Sequence, residues 1–143
     1  MQAHSQREPI VVTHDGGKRF VAAVRSHRIV TDQPERAGGG DAGPTPLELL
    51  GASLGSCVAL YVQQFCLSRD IAFEGMHVEV DQHNASNPHR VGEFVVRVFV
   101  PADLDAHQAE MLERAARSCP AHHTLAEHAK VTIALHAAAG TAT

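Results

Sequence analysis

The apolar runs in the first part of the chain are short and punctuated. Ile10 to Thr13, Phe20 to Val24 and Arg28 to Val30 read as strands, with Asp15-Gly16-Gly17 and Ser26-His27 as the turns between them. That spacing predicts a β-meander. From Thr31 to Pro44 the pattern breaks into glycines and prolines, Gly38-Gly39-Gly40 and Gly43 among them, which predicts a flexible connection lying over a neighbouring element. It lacks the Gly-Lys-Ser/Thr ending of a phosphate-binding loop.

Thr45-Pro46 then opens a long helix, with Thr45 as N-cap, Pro46 at the first position and Glu48 at the third. Leu50, Leu54, Tyr61 and Phe65 recur at helical spacing, and Cys57 falls on the same stripe. Small residues, Gly51, Ala52, Ser53, Gly55 and Ser56, let another backbone come close. A helix apolar nearly all round is buried, so either a sheet wraps it or a second copy packs against it. Leu49 to Ser68 carries no charge and is long enough in principle to span a bilayer. Ser53, Ser56, Gln63, Gln64 and Ser68 make it too polar for that, and a soluble core helix is the better reading.

His77 to Val80 and Glu93 to Val100 form the next pair of strands, with the turn in Asn84 to Pro88. Asp103 to Arg117 is an amphipathic helix with Leu104, His107, Met111 and Ala115 facing inward. Ser118-Cys119-Pro120 ends it and starts a short helix through His128; Lys130 to Leu135 reads as a final strand. The order β-β-β-α-β-β-α-α-β predicts an α+β fold. Residues 1–143 are expected to form one domain, with 1–8 and 137–143 fraying at its ends.

Composition narrows the function. A chain of 143 residues can bury a core of ordinary size. Its formal charge of −4 argues against nucleic acid, and no basic amphipathic stretch favours a membrane surface. Three cysteines, an odd number, do not make a disulfide scaffold. The start MQAHSQREPI has neither the basic residues nor the apolar run of a signal peptide. The expectation is a cytoplasmic protein whose thiols are catalytic, metal-bound or buried.

Cys57 lies about three turns into its helix, where the dipole has decayed, so a reactive thiolate there needs a cation from elsewhere. Burial in the core is the other reading. Cys119, beside Pro120 at a helix start with His122 and His123 close by, is on local grounds the more acidic thiol. Cys119, His122, His123 and His128 include donors that suit zinc, but no second ligand pair completes a structural site, and no metal is expected. Cys66 points to a different face and reads as core.

Two motifs carry a resemblance. Gly43 to Cys57, G-P-T-P-L-E-L-L-G-A-S-L-G-S-C, and Ser118 to Leu125, S-C-P-A-H-H-T-L, together resemble the OsmC/Ohr superfamily of thiol-dependent hydroperoxide reductases. The stretch D-Q-P-E-R-A-G-G-G-D before the first motif is closer to its OsmC-like branch than to Ohr. The resemblance implies an intertwined homodimer with two central helices wrapped by sheets, and sites where the chains meet. It implies that Cys57 is the peroxidatic cysteine, attacking an organic hydroperoxide, and Cys119 the resolving one. A dithiol reductant then restores the pair, and no cofactor is required.

The sequence departs from that pattern in two places. Characterised relatives carry, directly after the Pro of the first motif, a Glu that pairs with an activating Arg; here that position is Leu47. The carboxylate comes one residue later, at Glu48, about 100° around the helix, where a capping box is the better role. Arg28 and Arg36 are candidates for the activating cation. His123 stands where relatives commonly have Arg, so the site is short of a fixed charge. A redox sensor or small-molecule-binding protein of the same fold is therefore the alternative to a peroxidase.

Overall fold

In the computed structural model, which describes residues 7–138, the elements are β1 (Val11–His14), β2 (Phe20–Val24), β3 (His27–Thr31), α1 (Pro46–Ser68), β4 (His77–Ala85), β5 (Arg90–Phe99), α2 (Ala106–Arg117) and α3 (Pro120–Ala126). The class is α+β, as the order of apolar runs predicts. The tails 1–6 and 139–143 lie outside the described residues, and with them most of the segments expected to fray.

The chain divides into two compact units. One holds the residues up to Ser56 together with His77–Phe99; the other holds Cys57–Met76 and the residues from Val100 onward.

In the first unit β1, β2 and β3 form an antiparallel meander, with Val12 opposite Ala22 and Val21 opposite Val30. The turn between β1 and β2 uses Gly16 and Gly17 at φ +93° and +54°, backbone angles that glycine adopts without steric cost. β4 and β5 make the second antiparallel sheet, longer than their apolar cores suggested, with a bulge at His83/Asn84. The turn region retracts to Ser86–His89, where the Arg90 guanidinium donates to the carbonyls of Ser86 and Pro88 at 3.0 and 2.9 Å.

The connection before α1 is not a loose one. Asp32 is only 3% exposed, and its carboxylate accepts backbone N–H groups from Gln33, Gly40 and Ala42 at 2.7, 3.2 and 3.1 Å. Its own N–H donates to Pro44 O at 3.2 Å, and Asp41 N–H donates to Gln33 O at 3.0 Å. A single 3-10 turn, Glu35–Ala37, sits inside this loop. The glycines here serve close approach: a Cβ on Gly39 would strike the Gln33 carbonyl, and one on Gly43 the Val30 carbonyl.

α1 starts as its sequence dictates. Thr45 N–H donates to Glu48 Oε1 at 2.9 Å and Glu48 N–H to Thr45 Oγ1 at 3.2 Å, a capping box with Pro46 at the first helical position. The buried stripe runs through Gly51, Leu54, Val58, Val62 and Cys66, with Gly55 beside it. Leu54 is buried as expected, but the stripe turns away from Leu50, Tyr61 and Phe65 of the same expected line, because small residues, not the largest, face the neighbouring elements. Gly51 lies under the Gln82 side chain, whose amide donates to Leu47 O at 2.9 Å, and a Cβ on Gly55 would meet Val80 at 3.0 Å. Leu50 is left 42% exposed. The helix closes with Asp70 at φ +58° and Ile71 N–H donating to Cys66 O at 2.9 Å.

In the second unit, α2 begins three residues later than expected, with Asp105 as N-cap in a reciprocal box with Gln108. Its buried residue is Leu112, whereas His107 is exposed, so the inward face is rotated from the one assigned by periodicity. The final strand is not formed. Lys130 to Leu135 carries no regular secondary structure, and Val131, Ile133 and Leu135 are 79%, 90% and 93% exposed. A strand needs a neighbour to accept its ladder bonds, and among the described residues none pairs with this segment.

Candidate functional site: a buried thiol pair

α2 ends at Arg117, where Ser118 N–H returns to the carbonyls of Arg114 and Ala115 and Cys119 N–H to Ala116 O at 3.4 Å. Pro120, which has no N–H to contribute, then restarts the chain as α3 at its favoured first position. Between the helices Cys119 is the N-cap of α3, in extended conformation at φ −68°, ψ 137°. Its side chain is fully buried, and Sγ accepts the backbone N–H of His122 at 3.2 Å.

The Cys57 thiol, on α1, is a side-chain neighbour of Cys119 and acts on it electrostatically. Cys57 is half-buried, at the edge of the buried stripe rather than on it. Both cysteines are free thiols, as is Cys66. Cys66 is fully buried, as expected, and burial pushes its thiol above the ordinary value.

The expectation that Cys119 is an acidic thiol is overturned. Burial pushes it above the ordinary thiol range, and the His122 N–H opposes this without reversing it. The hydrogen bond with Cys57 and any charge on Cys57 push Cys119 up further, while the Ala121 N–H again opposes. Local sequence registers the helix start but not the packing that closes over it. The consequence is a protonated Cys119 beside Cys57, a donor able to serve a neighbouring sulfur anion.

His122 is half-buried and His123 exposed, with their rings edge to face at 5.4 Å between centroids. His123 Nδ1 stands 3.8 Å from Glu127 Oε1, an ion pair only when the imidazole is protonated. Among the described residues no three His, Cys, Asp or Glu side chains converge as metal ligands, so Cys119, His122, His123 and His128 are not gathered into a zinc site.

Arg28, Arg36 and Glu48 belong to the other unit. Arg28 is exposed on β3 opposite Ala23, and Arg36 is exposed on the 3-10 turn. Glu48 serves the capping box. Its carboxyl is held below the usual range by the Thr45 backbone N–H, then by the Thr45 hydroxyl, with a smaller contribution from Arg36. Sequence reasoning missed Asp32. The signal was present, since an aspartate ahead of a Gly-rich turn commonly accepts backbone N–H groups.

A family profile described as OsmC-like protein matches residues 38–134. Among solved structures, the chain is similar to a Psychrobacter arcticus protein provisionally described as an osmotic-stress-induced and detoxification-response protein. The two share 25% identity and a TM-score of 0.77, over 86% of this chain and 91% of that one. An OsmC-like protein of Mycoplasma pneumoniae is 18% identical with a TM-score of 0.73, over 87% and 90%. An organic hydroperoxide resistance protein of Elizabethkingia anophelis is 19% identical with a TM-score of 0.57, over 84% and 90%. No curated protein sequence matches significantly.

Proposed function

This chain belongs to the OsmC-like family, and from that premise we propose that it reduces organic hydroperoxides through Cys57 and Cys119. The observation that carries the proposal is the pair itself: two neighbouring free thiols, one half-buried and one fully buried. Some solved structures of this fold are named for organic hydroperoxide resistance, which supports the same reading.

In the proposed cycle the Cys57 thiolate attacks the peroxide O–O bond. The alcohol leaves after taking up a proton, and Cys57 becomes a sulfenic acid. Cys119 attacks that sulfur, water departs and a disulfide forms; a dithiol then reduces it. The apolar character of α1 on either side of Cys57 suits an organic substrate better than hydrogen peroxide.

The proposal extends to a cytoplasmic homodimer. Proteins of this family are generally soluble, so α1, long and apolar enough by length and composition to cross a membrane, is read as a core helix. Leu50, Leu60 and Leu67 on α1 and Val131, Ile133 and Leu135 beyond α3 are exposed apolar residues that a second copy would cover.

The test is to mix reduced protein with an organic hydroperoxide and with hydrogen peroxide, following thiols and peroxide for wild type, Cys57→Ser and Cys119→Ser. Rapid loss of organic peroxide that vanishes in Cys57→Ser, with a sulfenic acid trapped in Cys119→Ser, supports the peroxidase. A rate no faster than a free thiol rejects it. The second reading, a redox sensor or small-molecule binder, is favoured by Glu48, whose carboxylate is committed to capping Thr45. A slow peroxide reaction with a readily formed Cys57–Cys119 disulfide would support that reading instead.

A further inference from the structure

The two sulfurs of the pair differ in access. Cys119 has none of its surface exposed, while Cys57 is only half-buried. Attack on a disulfide is in line, so a nucleophile striking Cys119 must arrive from the side opposite Cys57, through the packing that encloses it. One striking Cys57 approaches the more open sulfur. Cys119 also has a partner ready for the charge it would carry as leaving group, since the His122 backbone N–H already points at Sγ at 3.2 Å. Among the described residues no backbone N–H is directed at Cys57 Sγ.

We propose that the external dithiol attacks the Cys57 sulfur of the Cys57–Cys119 disulfide and expels Cys119 as the leaving thiolate. This rests on the dithiol–disulfide cycle proposed above. A thiolate of the reductant forms a bond to Cys57 Sγ as the Cys57–Cys119 bond breaks, and the electron pair passes to Cys119 Sγ. There it accepts the His122 N–H and takes a proton from the reductant's second thiol. That second sulfur, now a thiolate, attacks its own partner, expels Cys57 and leaves the reductant as a disulfide. Two electrons move from the reductant to the pair.

One consideration opposes this order, because burial makes Cys119 a poorer leaving group. Access decides against it. The charge on Cys57 that adds to the burden on Cys119 is absent once Cys57 is in a mixed disulfide, so only burial remains against the His122 and Ala121 N–H groups.

The experiment uses Cys66→Ala protein, oxidised with diamide and exposed briefly to stoichiometric 2-mercaptoethanol, a monothiol that finishes the cycle only when a second molecule attacks the first adduct. After acid quench and alkylation of free thiols, the adduct is mapped by mass spectrometry. The expected result is mercaptoethanol on Cys57 and alkylation on Cys119, by at least about tenfold over the reverse. Equal or greater adduct on Cys119 overturns the inference while leaving the disulfide cycle standing. No diamide disulfide at all overturns both. Wild-type protein treated alike guards against a misfolded variant, and there too the adduct must sit on Cys57.

Discussion

Cys119 stands fully buried with the Cys57 thiol as its neighbour, and charge on Cys57 works against charge on Cys119. Cys57→Ala removes that part of the push and leaves the burial. The Cys119 thiol of the variant should therefore titrate lower than in the intact pair, with burial still raising it against the His122 and Ala121 N–H groups. Thiolate ultraviolet absorbance against pH, in a Cys66→Ala background, reads this directly. A Cys119 titration unmoved by Cys57→Ala would mean that the two thiols are not coupled.

The Asp32 carboxylate is the hub of the connection between β3 and α1. Its carboxyl is held below the usual range by the Ala42 and Gln33 N–H groups first, with Gly40 and Arg19 adding to them against the cost of burial. A carboxyl lowered in the folded state contributes stability that is fully present above its unfolded value, near 3.8, and is lost as pH falls through the lower folded value. Asp32→Asn keeps the shape and loses the charge. It should lower the melting temperature at neutral pH and flatten the acid limb, with faster amide exchange at Gly40 and Ala42. Unchanged exchange at those amides would reject the hub.

Much of this was legible in the sequence. The strand punctuation, the Thr45 capping box and the Pro120 restart are local codes, and local codes survive folding. Periodicity placed the buried faces of α1 and α2 about one position off, because it weighs side-chain size, whereas the fold packs Gly51 and Gly55 against β4. Lys130 to Leu135 has the composition of a strand, but a strand depends on a neighbour that no single segment specifies. The two candidate cysteines were legible from their motifs. The acidity of Cys119 was misjudged, since burial is a tertiary quantity.

Glu48 is placed to cap, and the two roles open to it separate by substitution. Glu48→Gln keeps an oxygen for the Thr45 N–H, so stability should hold and any peroxide rate should stay within about twofold of wild type. Thr45→Ala removes the hydroxyl that meets Glu48 N–H and should cost about 1 kcal/mol in urea unfolding. A collapse of activity in Glu48→Gln with stability intact would show that the carboxylate acts in the chemistry after all.

Gly43→Ala tests the same clasp as Asp32 from the other side. A Cβ at Gly43 would collide with the Val30 carbonyl and press on the Val30 side chain at 3.4 Å. Backbone cannot swing aside as a side-chain tip can, so residues 43 and 30 must separate. That separation carries Pro44 O away from Asp32 N–H, now 3.2 Å apart. Overpacking of this kind costs about 1–3 kcal/mol. If one clasp is involved, Asp32→Asn and Gly43→Ala should be non-additive. The double variant in urea unfolding should lose less than the sum of the singles, by about 0.5 kcal/mol or more. Strict additivity would mean that the glycine and the aspartate hold separate parts of the loop, and the clasp would have to be divided.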